Sequence, residues 1–272
     1  SRRLSARNGM RNTTNAFDGA VLRLDVSAGT VRAFLTRPVL VDTTKLDSST
    51  KGGLFWGGLL RRGLGPRVTA EGYYLGLHDD ASFGTARRQF STAGGRLRVA
   101  PQPRVVDGEV EAVWQHGRLG HLDHAASFLH IQLGYTLDGA WSPRVSLHYD
   151  DASGDEDPQD ERSGQFDTLF GTKTFELSPS GIYGPFARAN LRSVGWRLSM
   201  QPLAALSLRL FHRGFWLEEA RDTWVDAGWR DPSGESGRYL GQQIEVAGAW
   251  SFLPYLDLEA GVAHLFKGGY LD

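Results

Sequence analysis

Residues 106–115 read VDGEVEAVWQ, and this stretch decides the fold. Val110 and Trp114 fall on one face of an extended chain, while Glu109 and Glu111 fall on the other. A period of two is typical of a β-strand whose two faces meet different surroundings. Because several charges share one strand face, that face suits a water-filled interior. The opposite, apolar face suits an apolar environment.

The same alternation recurs along the chain and predicts about twelve strands. Clear alternation covers residues 20–26, 106–115, 129–136, 144–150, 193–200, 206–213, 243–250 and 256–262. Weaker alternation covers residues 31–39, 54–62, 68–77 and 91–99. Half-buried strands of soluble proteins alternate as well, so periodicity alone leaves the surroundings of the sheet open.

The connections between these strands favour a membrane barrel. Short connections are expected at residues 27–30, 63–66, 101–104, 138–143, 202–205 and 251–254, and long ones at 40–53, 78–90, 116–124, 151–190 and 218–237. Tight turns on one side and longer loops on the other are typical of outer-membrane barrels. Aromatic residues near strand ends fit the two membrane interfaces, namely Trp141, Tyr149, Trp250, Phe252 and Tyr255. We therefore predict an all-β, antiparallel transmembrane β-barrel.

Composition narrows the class of protein. The 272 residues carry a net charge of −1, which argues against a nucleic-acid partner, and no cysteine. The sequence contains no apolar run of the length that a membrane-spanning helix needs. Of the 30 basic residues, 26 are arginine, which either reflects carboxylate partners or a coding bias. We expect one barrel domain over residues 1–272, with further strands beyond both ends.

Several short motifs, in order, resemble the alginate export family of outer-membrane porins. They are RNTTNAFDGA at 11–20, ASGD at 152–155, FDTLF at 166–170, NL at 190–191, FWL at 215–217 and LGQQIE at 240–245. The sequence departs from the family pattern at Asp167, where Asn is usual, and at Gly171, where Pro often follows. The resemblance implies a barrel of about eighteen strands and a partial chain.

Strand parity then assigns the side chains of the lumen. The arginines expected there are Arg23, Arg32, Arg96, Arg98, Arg144, Arg197, Arg209 and Arg213, and the acids are Glu71, Asp107, Glu109, Glu111, Glu245, Asp257 and Glu259. A ring of guanidinium groups would lower the barrier for carboxylate-bearing sugars. The acids are expected to pair with these arginines across strands, and such pairs could equally serve only to fill and stiffen the lumen.

Other chemistry is weaker in the sequence. Glu109 and Glu111 could form a glycosidase pair, and Ser146 with His148 an esterase pair, but neither has an identifiable partner group. The acidic stretch 150–161 fails the EF-hand pattern, and residues 121–124 hold a weak His-Asp-His group. We predict no enzyme activity, no cofactor and no metal.

The functional prediction is a bacterial outer-membrane channel that passes alginate-like polyuronate by passive, charge-selective diffusion. The first alternative is an uptake porin for small organic acids, and the second is a soluble β-rich carbohydrate-binding protein. Expected partners are the anionic solute and outer-membrane lipid, and periplasmic export machinery is a candidate.

Overall fold

The computed structural model describes residues 2–6, 15–41, 44–82, 84, 86–172, 174–177 and 184–271. Its strands are β1 Phe17–Val26, β2 Gly29–Leu40, β3 Ser48–Ser49, β4 Gly53–Gly63, β5 Val68–Asp79, β6 Arg88–Val99, β7 Val106–Leu119, β8 Leu122–Thr136, β9 Arg144–Ala152, β10 Arg162–Ser163, β11 Leu191–Leu203, β12 Leu206–Trp216, β13 Tyr239–Leu253 and β14 Leu256–Lys267. The helix α1 (Thr174–Leu177) and a 3-10 turn (Gly269–Leu271) complete the described elements. Residues 11–14 of the first family motif lie outside the described residues.

Twelve long strands form one sheet in chain order. The order is β1-β2-β4-β5-β6-β7-β8-β9-β11-β12-β13-β14, with β3 beside β2 and β10 beside β8. Every neighbouring pair along this path is antiparallel, and among the described strands the two-residue β10 pairs in parallel. The predicted number of strands and their antiparallel arrangement are confirmed.

The two faces of the sheet reverse the usual distribution of polarity. Val110 and Leu147 point outward and are 43% and 59% exposed, whereas the inward Glu111 and His130 are 0% exposed. A soluble protein does not bury charge and expose its aliphatic side chains in this way. The outward face is therefore the surface that a bilayer covers, and the inward face lines a lumen.

Aromatic side chains mark both edges of the outward apolar band. Trp141, Trp250 and Tyr255 are exposed at the end of the sheet with the tight turns. At the other end, Trp216 and Tyr239 lie with ring centroids 5.4 Å apart. Amphipathic rings favour the lipid–water boundary, so the two groups place the apolar band between them.

One predicted connection is wrong. The long loop expected at 116–124 is a tight turn at Gly120–His121, flanked by the last pair of β7 and β8, Leu119 with Leu122. Gly120 has a φ of +63°, which glycine adopts without strain. Strands β7 and β8 have 14 and 15 residues, whereas about 9–11 cross a bilayer. Their polar ends therefore project beyond the apolar band, which made them look like a loop.

Loop segments fold inward and fill the part of the lumen near the long loops. One buried apolar cluster joins Leu4, Phe166 and Phe170 to Phe55 and Phe128 of the barrel wall. A second cluster joins segments that precede β11 and β13 to the wall, through Leu177, Phe186, Phe215, Trp224 and Leu240. Among the described residues, no helix has the length and apolarity needed to cross a membrane.

The assignment of faces can be tested with one arginine on each face. Val110→Arg places a charge in the middle of the outward band and should lower the free energy of unfolding by about 2–4 kcal/mol. Gln132→Arg, on the neighbouring strand and facing the lumen, should change it far less. Urea unfolding in lipid vesicles, followed by tryptophan fluorescence, measures both, and equal effects would contradict the assignment.

Candidate functional site

The backbone register aligns charged side chains from strand to strand across the lumen. Arg61 pairs with Glu71, Glu71 with Arg96, and Arg96 with Glu111. The same row continues through His130 of β8 to Asp150 of β9. Inward side chains in paired register lie close enough to interact directly, so the strand pairing itself builds a charged belt.

Several predicted arginine–acid pairs form in the lumen. Arg96 donates to Glu109 over 2.6 Å, and Arg209 donates to Glu259 over 2.5 Å. Arg144 of β9 reaches over β8 to bind Asp107 of β7. The arginine crosses at Gly134, where a Cβ would lie 2.2 Å from its Nη2, so this pair needs a glycine between its partners.

Other predicted lumen residues have different contacts. Arg197 lies over the ring of Phe211, with its Cζ 5.4 Å from the centroid, and Arg98 and Asp257 make no ion pair within the described part of the chain. Glu245 accepts a hydrogen bond from Gln243. The expectation that the acids as a set pair with these arginines is therefore only partly correct.

A buried ionic cluster occupies the middle of the lumen, and Arg3 lies at its centre. Arg3 donates to Glu109 over 2.6 Å and to Glu111 over 2.5 Å, both from β7. Its Nε and Nη2 bind the two oxygens of Glu176, over 2.9 and 2.5 Å. Tyr73 adds a hydrogen bond of 2.6 Å to Glu111. One guanidinium therefore joins a barrel strand to the inward-folded loop.

The second half of the cluster surrounds Asp150. Its Oδ2 lies 2.7 Å from Arg213, and its Oδ1 lies 3.0 Å from His130 Nδ1 and 3.7 Å from Arg188. Arg188 also donates to Glu176 over 2.8 Å, which links the two halves. Buried charges are tolerated when each has an opposite partner, and this network supplies partners in both directions.

The cluster has the composition of a metal site but holds a cation of its own. Ligand atoms of Glu109, His130 and Glu176 lie within 4.8 Å of one another. The guanidinium of Arg3 contacts both carboxylates and supplies the positive charge that a metal would bring. Burial acts to raise the pKa of Glu176, but the charges of Arg3, His130 and Arg188 hold it below its ordinary value.

Below the cluster, toward the tight turns, lies a cavity of about 620 Å³ that we call the vestibule. Its lining contains Arg2, Ser5, Arg23, Thr30, Arg32, Leu59, Arg61, Glu71 and Arg96. Arg61 and Arg96 share Glu71, and Arg23 pairs with Asp25. Arg32 makes no ion pair among the described residues, so the vestibule carries an excess of positive charge.

A larger cavity of about 1150 Å³ opens at the rim with the long loops, beside residues 153–164. Asp155 there has its pKa raised by burial and by the nearby charge of Asp222. Within the described residues, the acids of this loop do not form a group with metal-ligand spacing, and neither do residues 121–124.

Neither of the two residue pairs considered for enzyme activity has the surroundings of a catalytic site. Ser146 and His148 lie 2.9 Å apart and are buried in the lumen wall. Glu109 and Glu111 are both bound by Arg3, which leaves them neutralised rather than free to act on a glycosidic bond.

Sequence reasoning missed Arg3, Glu176 and Arg188, because they lie outside strands and parity says nothing about loops. His130 and Asp150 had the correct parity, since each alternates with outward apolar residues. Asp150 was overlooked because it stands at the end of a strand, next to the acidic loop. For His130 and Asp150, the available signal was a titratable side chain at a lumen-facing strand position that had been given no role.

The central cluster can be tested at Asp150. Asp150→Asn leaves Arg213 buried without its carboxylate and should lower the free energy of unfolding by about 3–5 kcal/mol. Asp25→Asn removes an exposed partner of Arg23 and is the matched control, with little change expected. Urea unfolding in vesicles compares them, and a small effect at Asp150 would show that its partners do not depend on it.

The chain resembles known outer-membrane proteins in sequence family and in fold. A model of the family described as alginate export matches residues 1–272, so the match gives no support to the expectation of a partial chain. No curated protein matches the chain. Three solved structures from Pseudomonas aeruginosa are similar in fold at low identity. OccK11 (OpdR) has a TM-score of 0.65 at 16% identity, OccK8 (OprE) 0.65 at 13%, and OccK5 (OpdH) 0.64 at 14%.

These alignments cover 97%, 98% and 98% of this chain and 69%, 71% and 70% of the respective structures. At these identities the likeness shows the fold alone, and that fold agrees with the outward apolar band. The soluble alternative is therefore wrong. The chain belongs to the alginate export family, and it is a non-enzymatic β-barrel channel of the bacterial outer membrane.

Proposed function

We propose that this channel passes anionic carbohydrate, of the alginate-like polyuronate class, by charge-selective diffusion along its arginine-bearing wall. The observation that carries the proposal is the vestibule, where five arginines line one cavity with Glu71 as the acid among its lining residues. Guanidinium groups bind carboxylates through paired hydrogen bonds. A chain of uronic acids would meet such groups at successive sugars.

The arginines divide into two functional groups by their partners. Arg144, Arg209 and Arg213 are already bound to carboxylates, so their charge is largely compensated before a solute arrives. Arg32 lines the vestibule, and Arg98 lies outside it on the same face of β6 as Arg96; both are exposed and make no ion pair among the described residues. We therefore assign solute attraction mainly to these two, and a scaffold role to the paired ones.

A second candidate function is the uptake of small organic acids. It is favoured by the central cluster and the two apolar clusters, which occupy much of the described lumen and leave a vestibule of about 620 Å³. A volume of that order suits a small ligand. Both functions need the same positive vestibule, so the size of the solute distinguishes them.

The test is ion selectivity of single channels in a planar bilayer. The unmodified protein should be anion-selective, and the polyuronate should block its current from one side. A current that ignores polyuronate but responds to small organic acids would favour the uptake porin. Cation selectivity would overturn both.

The Arg32→Gln/Arg98→Gln double variant should lower the anion-to-cation permeability ratio by a factor of about 2–10, because a narrow passage concentrates the field of its charges. The matched control is Arg37→Gln/Arg62→Gln, which removes the same charge from two exposed positions on the outward face. Reversal potentials in a salt gradient measure both. Equal changes would mean that net charge, rather than the lumen wall, sets selectivity.

A further inference from the structure

Residues 2–6, which we call the plug segment, lie inside the barrel and are held there by main-chain hydrogen bonds. Phe170 N donates to the carbonyl of Leu4 over 3.0 Å, and Ala6 N donates to that of Phe170 over 3.1 Å. Thr172 N donates to the carbonyl of Arg2 over 3.1 Å. Ser5 and Phe170 thus form one isolated parallel β-bridge, and the hydrogen bond from Thr172 to Arg2 adds a further main-chain contact.

Side chains fix the plug segment on two sides. Leu4 is 1% exposed and belongs to the apolar cluster with Phe55 and Phe170. Arg3 turns the other way and binds Glu109, Glu111 and Glu176 of the central cluster. An arginine with three carboxylates is a strong attachment, but an ionic one that other anions can compete for.

Gly171 permits the close approach of the plug segment. A Cβ at this position would lie 1.9 Å from the carbonyl oxygen of Arg3, a distance that no side chain can occupy. Glycine at position 171 is therefore required for this seating, since a side chain there would displace residues 2–6.

The plug segment is also in contact with the vestibule. Arg2 and Ser5 line that cavity from above, opposite Arg23 and Arg32 on the wall. Arg96 links the two regions, because it lines the vestibule and donates to the same Glu109 that Arg3 binds. An anion that binds Arg2 in the vestibule would pull the plug segment toward that cavity and so weaken the attachment of Arg3.

We propose that residues 2–6 are a displaceable plug of the lumen, latched by Arg3 and released when carboxylate-bearing solutes enter the vestibule. The release step rests on the proposed function, whereas the seating of the plug segment does not. In the latched state the ionic cluster obstructs the middle of the channel. In the released state Arg96 and Arg188 remain bound to Glu109 and Glu176, as they already are in the latched state, and the arginines of the plug segment accompany the solute.

The first test measures how accessible Leu4 is. The chain contains no cysteine, so Leu4→Cys provides the single thiol for labelling by a water-soluble maleimide. In the full chain in lipid vesicles, this thiol should react at least about tenfold more slowly than that of Leu46→Cys, which replaces a 93% exposed side chain. Equal rates would overturn the seating of the plug segment.

The second test releases the latch in the Leu4→Cys background. Arg3→Gln and Gly171→Ala should each accelerate labelling by at least about tenfold, because one removes a buried ionic attachment and the other fills its space. Arg62→Gln and Gly72→Ala are the matched controls, since Arg62 is exposed on the outward face and a Cβ at Gly72 meets nothing within 4 Å. If all four variants label alike, Arg3 is not a latch.

The third test adds an oligomeric uronate to the Leu4→Cys protein and should give the same acceleration, with neutral oligosaccharide of equal length as the control. Bilayer conductance of Arg3→Gln should rise in parallel. An anion-selective channel whose Leu4→Cys labelling ignores uronate would overturn the release step and leave the proposed function intact. Accelerated labelling in a channel without anion selectivity would support the release step and overturn the proposed function.

Discussion

Hydrocarbon offers no hydrogen-bond partners, and this constraint governs the rest of the structure. Each long strand between β1 and β14 pairs its backbone groups with a neighbour on either side, and the side chains that face lipid must be apolar. Because successive side chains point to opposite faces, the charged half of every strand is then forced inward. The polar lumen is thus the direct counterpart of the apolar band, seen for example in Val110 beside Glu109 and Glu111.

Charge crowded into the lumen has to be neutralised there. The central cluster achieves this with four arginines, Arg3, Arg96, Arg188 and Arg213, and four carboxylates, Glu109, Glu111, Glu176 and Asp150. Three of these eight residues, Arg3, Glu176 and Arg188, come from inward-folded segments rather than from strands. The central cluster therefore divides the lumen into two parts. Inward-folded loops fill the part near the long loops, and the vestibule with its surplus of arginine occupies the part near the tight turns.

Strand parity is the source of the sequence-based assignment of the lumen wall. Asp107, Glu109, Arg96, Arg144 and Arg209 lie on the face opposite to the apolar side chains, because a strand has only two faces. The ion-pair partner of each lumen arginine was harder to predict from the sequence. Arg144 binds Asp107 two strands away across Gly134, and Arg213 binds Asp150 two strands away, so both partners depend on the register of three strands at once.

The sequence by itself determined the strand period, the other tight-turn positions and the family, because each of these is a local pattern. Only the tertiary structure decided that β7 and β8 continue past the membrane to a tight turn at Gly120–His121. It alone placed Arg3, Glu176 and Arg188 in the middle of the lumen, and it alone gave Gly171 its role. These features join segments far apart in the chain through ionic and steric contacts, and no local period encodes such contacts.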